Sequence, residues 1–225
     1  MEFLFDSANI ADIKKYGKCF PYTGVTSNPS IIKAEGKIDF FSHFREIRSI
    51  IGNDRSLHIQ TLARDYEGIL AEADAILSNI DKDVYIKIPA TKAGLGAMQV
   101  LKKQGVGVTA TAIYSRIQGF MAIAAGADFI ALYYNRMENQ DINPRDTIKT
   151  LAGIINSKNL PTKILAASFK NIAQVNKALA AGAHAVTVQP SLLNEVFDLP
   201  FISKAIEDFA QDWEAAFGNS GILDL

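Results

Sequence analysis

Cysteine is nearly absent: the 225-residue chain has one, Cys19. A lone thiol cannot close an internal disulfide, which excludes a disulfide-stapled secreted fold and fits a reducing compartment. No partner base stands near Cys19 in the sequence, so it is read as a small core residue rather than a nucleophile. Excess charge of either sign is also missing, with 23 Lys and Arg against 24 Asp and Glu. No stretch is dense in basic residues, so neither nucleic acid nor an anionic membrane is an expected partner. No uncharged apolar run approaches the length of a membrane span. The start, Met1-Glu2-Phe3-Leu4-Phe5-Asp6, lacks a basic segment followed by an apolar one. A secretory leader is therefore not expected, and a cytoplasmic chain is. Histidine is scarce, and no His cluster shows metal-ligand spacing. Neither a Gly-x-Gly-x-x-Gly fingerprint nor a Walker A pattern occurs, which removes the usual nucleotide-binding sheets.

What is present is a chain 48% apolar, enough for a sizeable core, at a length that suits one domain spanning residues 1–225. Short β-branched or apolar runs alternate with longer helical patterns. The predicted strands are Glu2–Asp6, Thr23–Asn28, Ser56–Leu62, Val84–Pro89, Gly107–Ile113, Phe129–Asn135, Lys163–Phe169 and Ala185–Gln189. Their starts lie 21 to 34 residues apart, room for one crossover helix in each interval. Apolar faces at helical spacing include Ile69, Leu70, Ala73, Ile76, Leu77 and Ile80, then Ile117, Phe120, Met121 and Ala124, then Val175 and Leu179. Gly105, Gly126 and Gly182 mark helix ends, where glycine tolerates left-handed backbone. Eight such units predict a single (β/α)8 barrel, an α/β fold. An open doubly wound sheet is the alternative. One amphipathic segment, residues 199–217, is left over. Its stripe of Ile202, Ile206, Phe209, Trp213 and Ala216 either folds back on its own barrel or packs on a neighbouring subunit.

Barrel enzymes carry their chemistry at the C-terminal ends of the strands. Those ends here offer Asp6, Thr26 and Asn28, Gln60, Lys87, Thr111, Tyr133 and Arg136, and Ser168. Lys87 is the most informative. It lies in the apolar run Val84-Tyr85-Ile86-Lys87-Ile88-Pro89, and alternation turns Tyr85, Lys87 and Pro89 toward the barrel interior. A lysine there is costly unless paired or used. Desolvation lowers an amine's pKa and leaves a nucleophilic neutral fraction near pH 7. The structural alternative is an ion pair with Asp6. Asp6 in turn is either that partner, a helix cap, or a carboxylate that handles protons or substrate hydroxyls. Asn28, before Pro29, is equally a turn signal. Arg136 can hold a phosphate at the barrel mouth or pair with a surface carboxylate.

The segments Gly24-Val25-Thr26-Ser27-Asn28-Pro29-Ser30-Ile31-Ile32, Ile86-Lys87-Ile88-Pro89, Tyr133-Tyr134-Asn135-Arg136 and Ala166-Ala167-Ser168-Phe169-Lys170 together resemble the small transaldolase family. The nearest branch is the fructose-6-phosphate aldolases, and the likeness runs from Phe5 to Phe217. The resemblance implies a metal-free, cofactor-free class I aldolase in which Lys87 forms a Schiff base with dihydroxyacetone-like donors. By position, Asp6 and Asn28 hold donor hydroxyls, supported by Thr26 and Ser168. Arg136 and Ser168 receive the phosphate of a sugar-phosphate acceptor. Tyr133, Gln60 and Thr111 position a water or proton. The resemblance also implies a homo-oligomer, a pentamer or decamer.

Two positions separate the branches. Transaldolases usually carry Glu where this chain has Gln60 and Phe where it has Tyr133. Gln cannot take a proton as Glu can, and a Tyr hydroxyl both donates and accepts. The expected reaction is therefore cleavage of fructose 6-phosphate with free release of dihydroxyacetone. Transfer of that unit between sugar phosphates is the alternative, and a sugar-phosphate-binding barrel without turnover is a third reading. His58 departs from the aromatic hydrocarbon ring usual in the aldolases, Leu132 replaces a typical Pro, Ala110 replaces a typical Gly, and Gln189-Pro190-Ser191 departs from the family's pattern. His58 is read either as a tuner of the pocket or as a satisfied structural histidine.

Overall fold

The computed structural model describes residues 1–224. Eight strands pair side by side in chain order, all parallel, and the last closes on the first. They are β1 (Glu2–Asp6), β2 (Gly24–Thr26), β3 (Ser56–Gln60), β4 (Tyr85–Pro89), β5 (Val108–Ile113), β6 (Phe129–Tyr133), β7 (Lys163–Ala167) and β8 (Ala185–Val188). The closed barrel, not the open sheet, is the architecture. Five of the strands end one or two residues earlier than the apolar pattern suggests, because the residues beyond them belong to loops, caps or the next helix.

The crossovers are less uniform than one helix per interval. α1 (Ile10–Tyr16) follows β1, but α2 (Pro29–Ala34) and α3 (Phe40–Ile51) share the β2–β3 interval. α4 (Tyr66–Asn79), α5 (Lys92–Lys103) and α6 (Arg116–Ala124) are single. α7 (Tyr134–Glu138) and α8 (Pro144–Ser157) share the β6–β7 interval, and α9 (Ile172–Ala180) leads into β8. The two longest strand spacings are thus the two that hold an extra short helix. Asn9, Asn28, Asp39, Asp65, Thr91, Ser115, Asn143 and Asn171 cap helix N-termini by accepting backbone N–H groups. Each such cap is worth about 1 kcal/mol. Gly105, Gly126 and Gly182 lie just beyond helix ends with φ of 78°, 87° and 104°.

Between strands and helices lies an apolar layer that includes Val25, Ile59, Ile86, Ile88, Ile130, Ile148 and Leu151, none of them accessible to solvent. On α6 the buried residues are Gly119 and Ala122, while Ile117 and Met121 are exposed. The expected face is therefore displaced around the helix. Close approach of α8 is the reason: a Cβ on Gly119 would stand 2.7 Å from a Leu151 methyl. Cys19 is exposed, with Sγ 3.8 Å from the Lys15 carbonyl, and is not a core residue. Among the described residues no helix is long and apolar enough to cross a membrane.

Residues 1–190 form one compact unit, and the segment from Ser191 forms a second. α10 (Pro190–Phe197), which begins on the last residue of the first unit, leads to α11 (Pro200–Phe217) in the second. α11 has no buried residue, and Phe201, Ile206, Phe209 and Phe217 are exposed. Trp213 stacks on Phe217 at 4.5 Å and donates to the Ser220 carbonyl.

Candidate active site

The side chains of β3 and β4 that alternate inward build the site in rungs. Register pairs Gln60 with Lys87 and Lys87 with Thr109. Lys87 is 3% exposed, and its Nζ donates to the Ser27 carbonyl at 2.7 Å. Ser27 is held in turn by its own N–H, which donates to the His58 carbonyl. No ion pair joins Lys87 to Asp6 among the described residues. Burial pushes the Lys87 amine below the ordinary lysine value, and the negative field of Asp6 recovers only part of that. This is the environment of a nucleophilic amine.

Asp6 ends β1 opposite Thr26. Thr26 Oγ1 donates to Asp6 Oδ1 at 2.7 Å and lies 2.6 Å from Thr187 Oγ1. With its one proton committed to Asp6, Thr26 accepts from Thr187. Burial raises the Asp6 carboxyl pKa, opposed first by Lys87 and then by the Thr26 bond. Thr187, from β8, was not singled out in the sequence; only its place at a strand end could have signalled it.

Asn28 caps α2, its Oδ1 accepting from the N–H groups of Ser30 and Ile31 at 3.0 and 3.1 Å. Its turn role is therefore real, and only its Nδ2 is left to donate elsewhere. Thr111 Oγ1 donates to the Tyr133 hydroxyl at 3.0 Å. Burial raises the Tyr133 pKa, with the Thr111 bond and then the Arg136 charge opposing. Gln60 Oε1 is buried with no hydrogen-bond partner among the described residues. An orphaned acceptor costs roughly 1–3 kcal/mol and so invites a donor from substrate or water.

Arg136 is not on a strand: β6 ends at Tyr133 and Arg136 rides on α7. Its guanidinium lies over the Tyr133 ring at 4.8 Å and pairs with no carboxylate among the described residues. Ser168 follows β7 with φ of 63°, and its carbonyl accepts from the Asn135 N–H. Ala112, in β5, is also left-handed at φ 56°, where the β5–β6 register shifts between Ala110 and Ile113. Neither backbone feature was legible in residue types that seldom adopt positive φ.

His58 is the satisfied structural histidine of the two readings. It is inaccessible, its Nδ1 2.8 Å from Thr109 Oγ1 and its Nε2 2.9 Å from Ser56 Oγ. Its ring stacks on Tyr85 at 4.7 Å and meets Phe129 edge-on. Burial, then the Lys87 charge, hold its pKa well below 6.5, so it is neutral. Among the described residues no group of three or more His, Cys, Asp or Glu is placed to hold a metal ion.

The family model described as Transaldolase/Fructose-6-phosphate aldolase matches residues 3–220. A Streptococcus pneumoniae protein named a probable fructose-6-phosphate aldolase is 52% identical over 213 residues, spanning 95% of this chain and 96% of that one.

Proposed function

Because the chain belongs to the transaldolase/fructose-6-phosphate aldolase family, we propose that it is a lyase, a class I aldolase that reversibly cleaves fructose 6-phosphate to dihydroxyacetone and glyceraldehyde 3-phosphate. The observation that carries this reading is Lys87, a buried amine in the middle of barrel strand β4 that rests on a carbonyl rather than on a carboxylate. The amine attacks the ketone carbon, and loss of water from the carbinolamine gives an imine. The protonated imine accepts the electron pair of the breaking C3–C4 bond while the C4 hydroxyl proton passes to a base. Glyceraldehyde 3-phosphate leaves, the enamine is protonated at carbon, and water frees dihydroxyacetone and regenerates the amine.

The side chains divide the work. Asp6 and the Asn28 amide Nδ2 bind the donor hydroxyls, and Thr26 fixes Asp6. Tyr133, held by Thr111, takes the C4 hydroxyl proton while passing its own to the water beside Gln60, and Gln60 accepts from that water, which forms and hydrolyses the imine. Arg136 and Ser168 receive the phosphate. Residues 1–225 act as one functional unit in which α11 offers its apolar face to another copy, giving a cytoplasmic homo-oligomer, a pentamer or decamer. The exposed Phe201, Ile206, Phe209 and Phe217 support that assembly. The test is fructose 6-phosphate supplied alone. Free dihydroxyacetone appears if the reading is right; release that requires an added acceptor aldose phosphate would reassign the chain to group transfer.

A further inference from the structure

Arg136 is exposed, and an unsupported arginine loses much rotamer freedom when it grips an anion. Here two aromatic residues support it. Tyr133 lies beneath the guanidinium, and the Tyr114 hydroxyl lies 3.5 Å from Arg136 Nη1, the long end of hydrogen-bond range. The Tyr114 ring meets Tyr133 edge-on, with centroids 5.6 Å apart. Tyr114 stands one residue beyond β5, after the register shift at the left-handed Ala112. That one irregularity precedes Tyr114 and follows Thr111, so the same strand end presents two hydroxyls to the Tyr133–Arg136 pair. Tyr114, Arg136, Asn139 and Gln140 line a recess of about 320 Å³ whose lining, among the described residues, includes no carboxylate. A hydroxyl, a guanidinium and two amides make a donor-rich wall suited to an anion.

We propose that Tyr114 is a positioning residue for the phosphate end of the acceptor: it holds the Arg136 guanidinium across Tyr133 and turns its own O–H to the same phosphate. The assignment rests on the sugar-phosphate reading of the site and adds a specificity determinant to it. With its oxygen accepting from Arg136, the Tyr114 proton is free for a phosphate oxygen. A phosphorylated aldehyde then profits from Tyr114, and the uncharged aldehyde of the same length does not.

The test compares wild type with Tyr114→Phe in aldol addition of dihydroxyacetone to glyceraldehyde 3-phosphate and to glyceraldehyde. The ratio of kcat/KM for the two acceptors should fall about threefold to tenfold in the variant, through KM, as for loss of one hydrogen bond. Calorimetric titration with inorganic phosphate should weaken by a similar factor. In an Arg136→Gln background, Tyr114→Phe should add little, because the two act on one anion. An unmoved ratio, an equal loss with both acceptors, or unchanged phosphate binding would each overturn the assignment. If wild type releases no dihydroxyacetone but phosphate still binds less tightly to Tyr114→Phe, the aldolase reading fails and the Tyr114 assignment stands.

Discussion

Lys87 donates to the carbonyl of Ser27 at 2.7 Å, while Asp6 acts on the same amine through its field and not through contact. The arrangement keeps the amine desolvated without fixing it in an ion pair. Borohydride with dihydroxyacetone should therefore fix a covalent adduct on Lys87, located by peptide mass mapping. Lys87→Ala should lose the adduct and nearly all activity while remaining folded. The sign of the Asp6 effect is also fixed. Its negative charge raises the amine pKa, so Asp6→Asn should move the pH midpoint of Lys87 trapping downward. An upward shift, or labelling at another lysine, would contradict the site.

The neutral His58 has a stability consequence. An unfolded histidine titrates near 6.5, whereas folded His58 takes its proton well below that value. Its contribution is complete above pH 6.5 and is lost as the pH falls toward the folded pKa. Wild type should lose up to about 1.4 kcal/mol per pH unit from this group in that window. His58→Phe should flatten the slope of urea-measured stability between neutral pH and pH about 5. It should also lower stability at neutral pH by roughly 1–3 kcal/mol, because Ser56 and Thr109 lose their ring partner. His184, also shifted down, remains in both proteins and cancels in the comparison. Equal slopes would mean that His58 does not resist protonation.

Gln60 and Tyr133 are the residues expected to carry the choice between cleavage and transfer. Gln60→Glu adds a group that can shuttle a proton, and Tyr133→Phe removes the hydroxyl bonded to Thr111. Either change should slow dihydroxyacetone release from fructose 6-phosphate. The double change should raise transfer to erythrose 4-phosphate relative to release. A difference of about 1.4 kcal/mol between the two transition states is a tenfold change in that ratio. The readout is sedoheptulose 7-phosphate formed per dihydroxyacetone released. A ratio unmoved by the double change would show that these residues do not set the outcome.

The apolar side chains of α11 should be covered in solution by another copy. Light scattering should report an oligomer for the full chain, and removal of the residues after Pro200 should lower its order. A full-length monomer would reject the assembly.

Much of this barrel is written in period-two apolar runs, which is why the starts of β1, β3, β6, β7 and β8 coincide with the pattern. Strand ends were less legible. Asn28 is taken over as the cap of α2, and Leu62 and Phe169 fall in the loops that follow β3 and β7. The inward direction of Lys87 followed from alternation alone, whereas its resting partner did not, since Ser27 contributes a main-chain carbonyl that no side-chain pattern marks. The α6 face was misplaced because Gly119 and Ala122 pack through smallness, which hydrophobic spacing does not register.

Ala112 and Ser168 sit left-handed on β5 and just beyond β7, the two strands that flank β6 and its Tyr133. A side chain in that conformation costs about 1–2 kcal/mol, which glycine would avoid. The barrel thus tolerates one locally unfavourable residue on each side of β6. Glycine at either position would relieve the strain but loosen the backbone next to Tyr133, so selection for heat resistance alone would erode the definition of this rim. Thermal tolerance and the definition of the rim around Tyr133 are therefore expected to pull in opposite directions at these two residues.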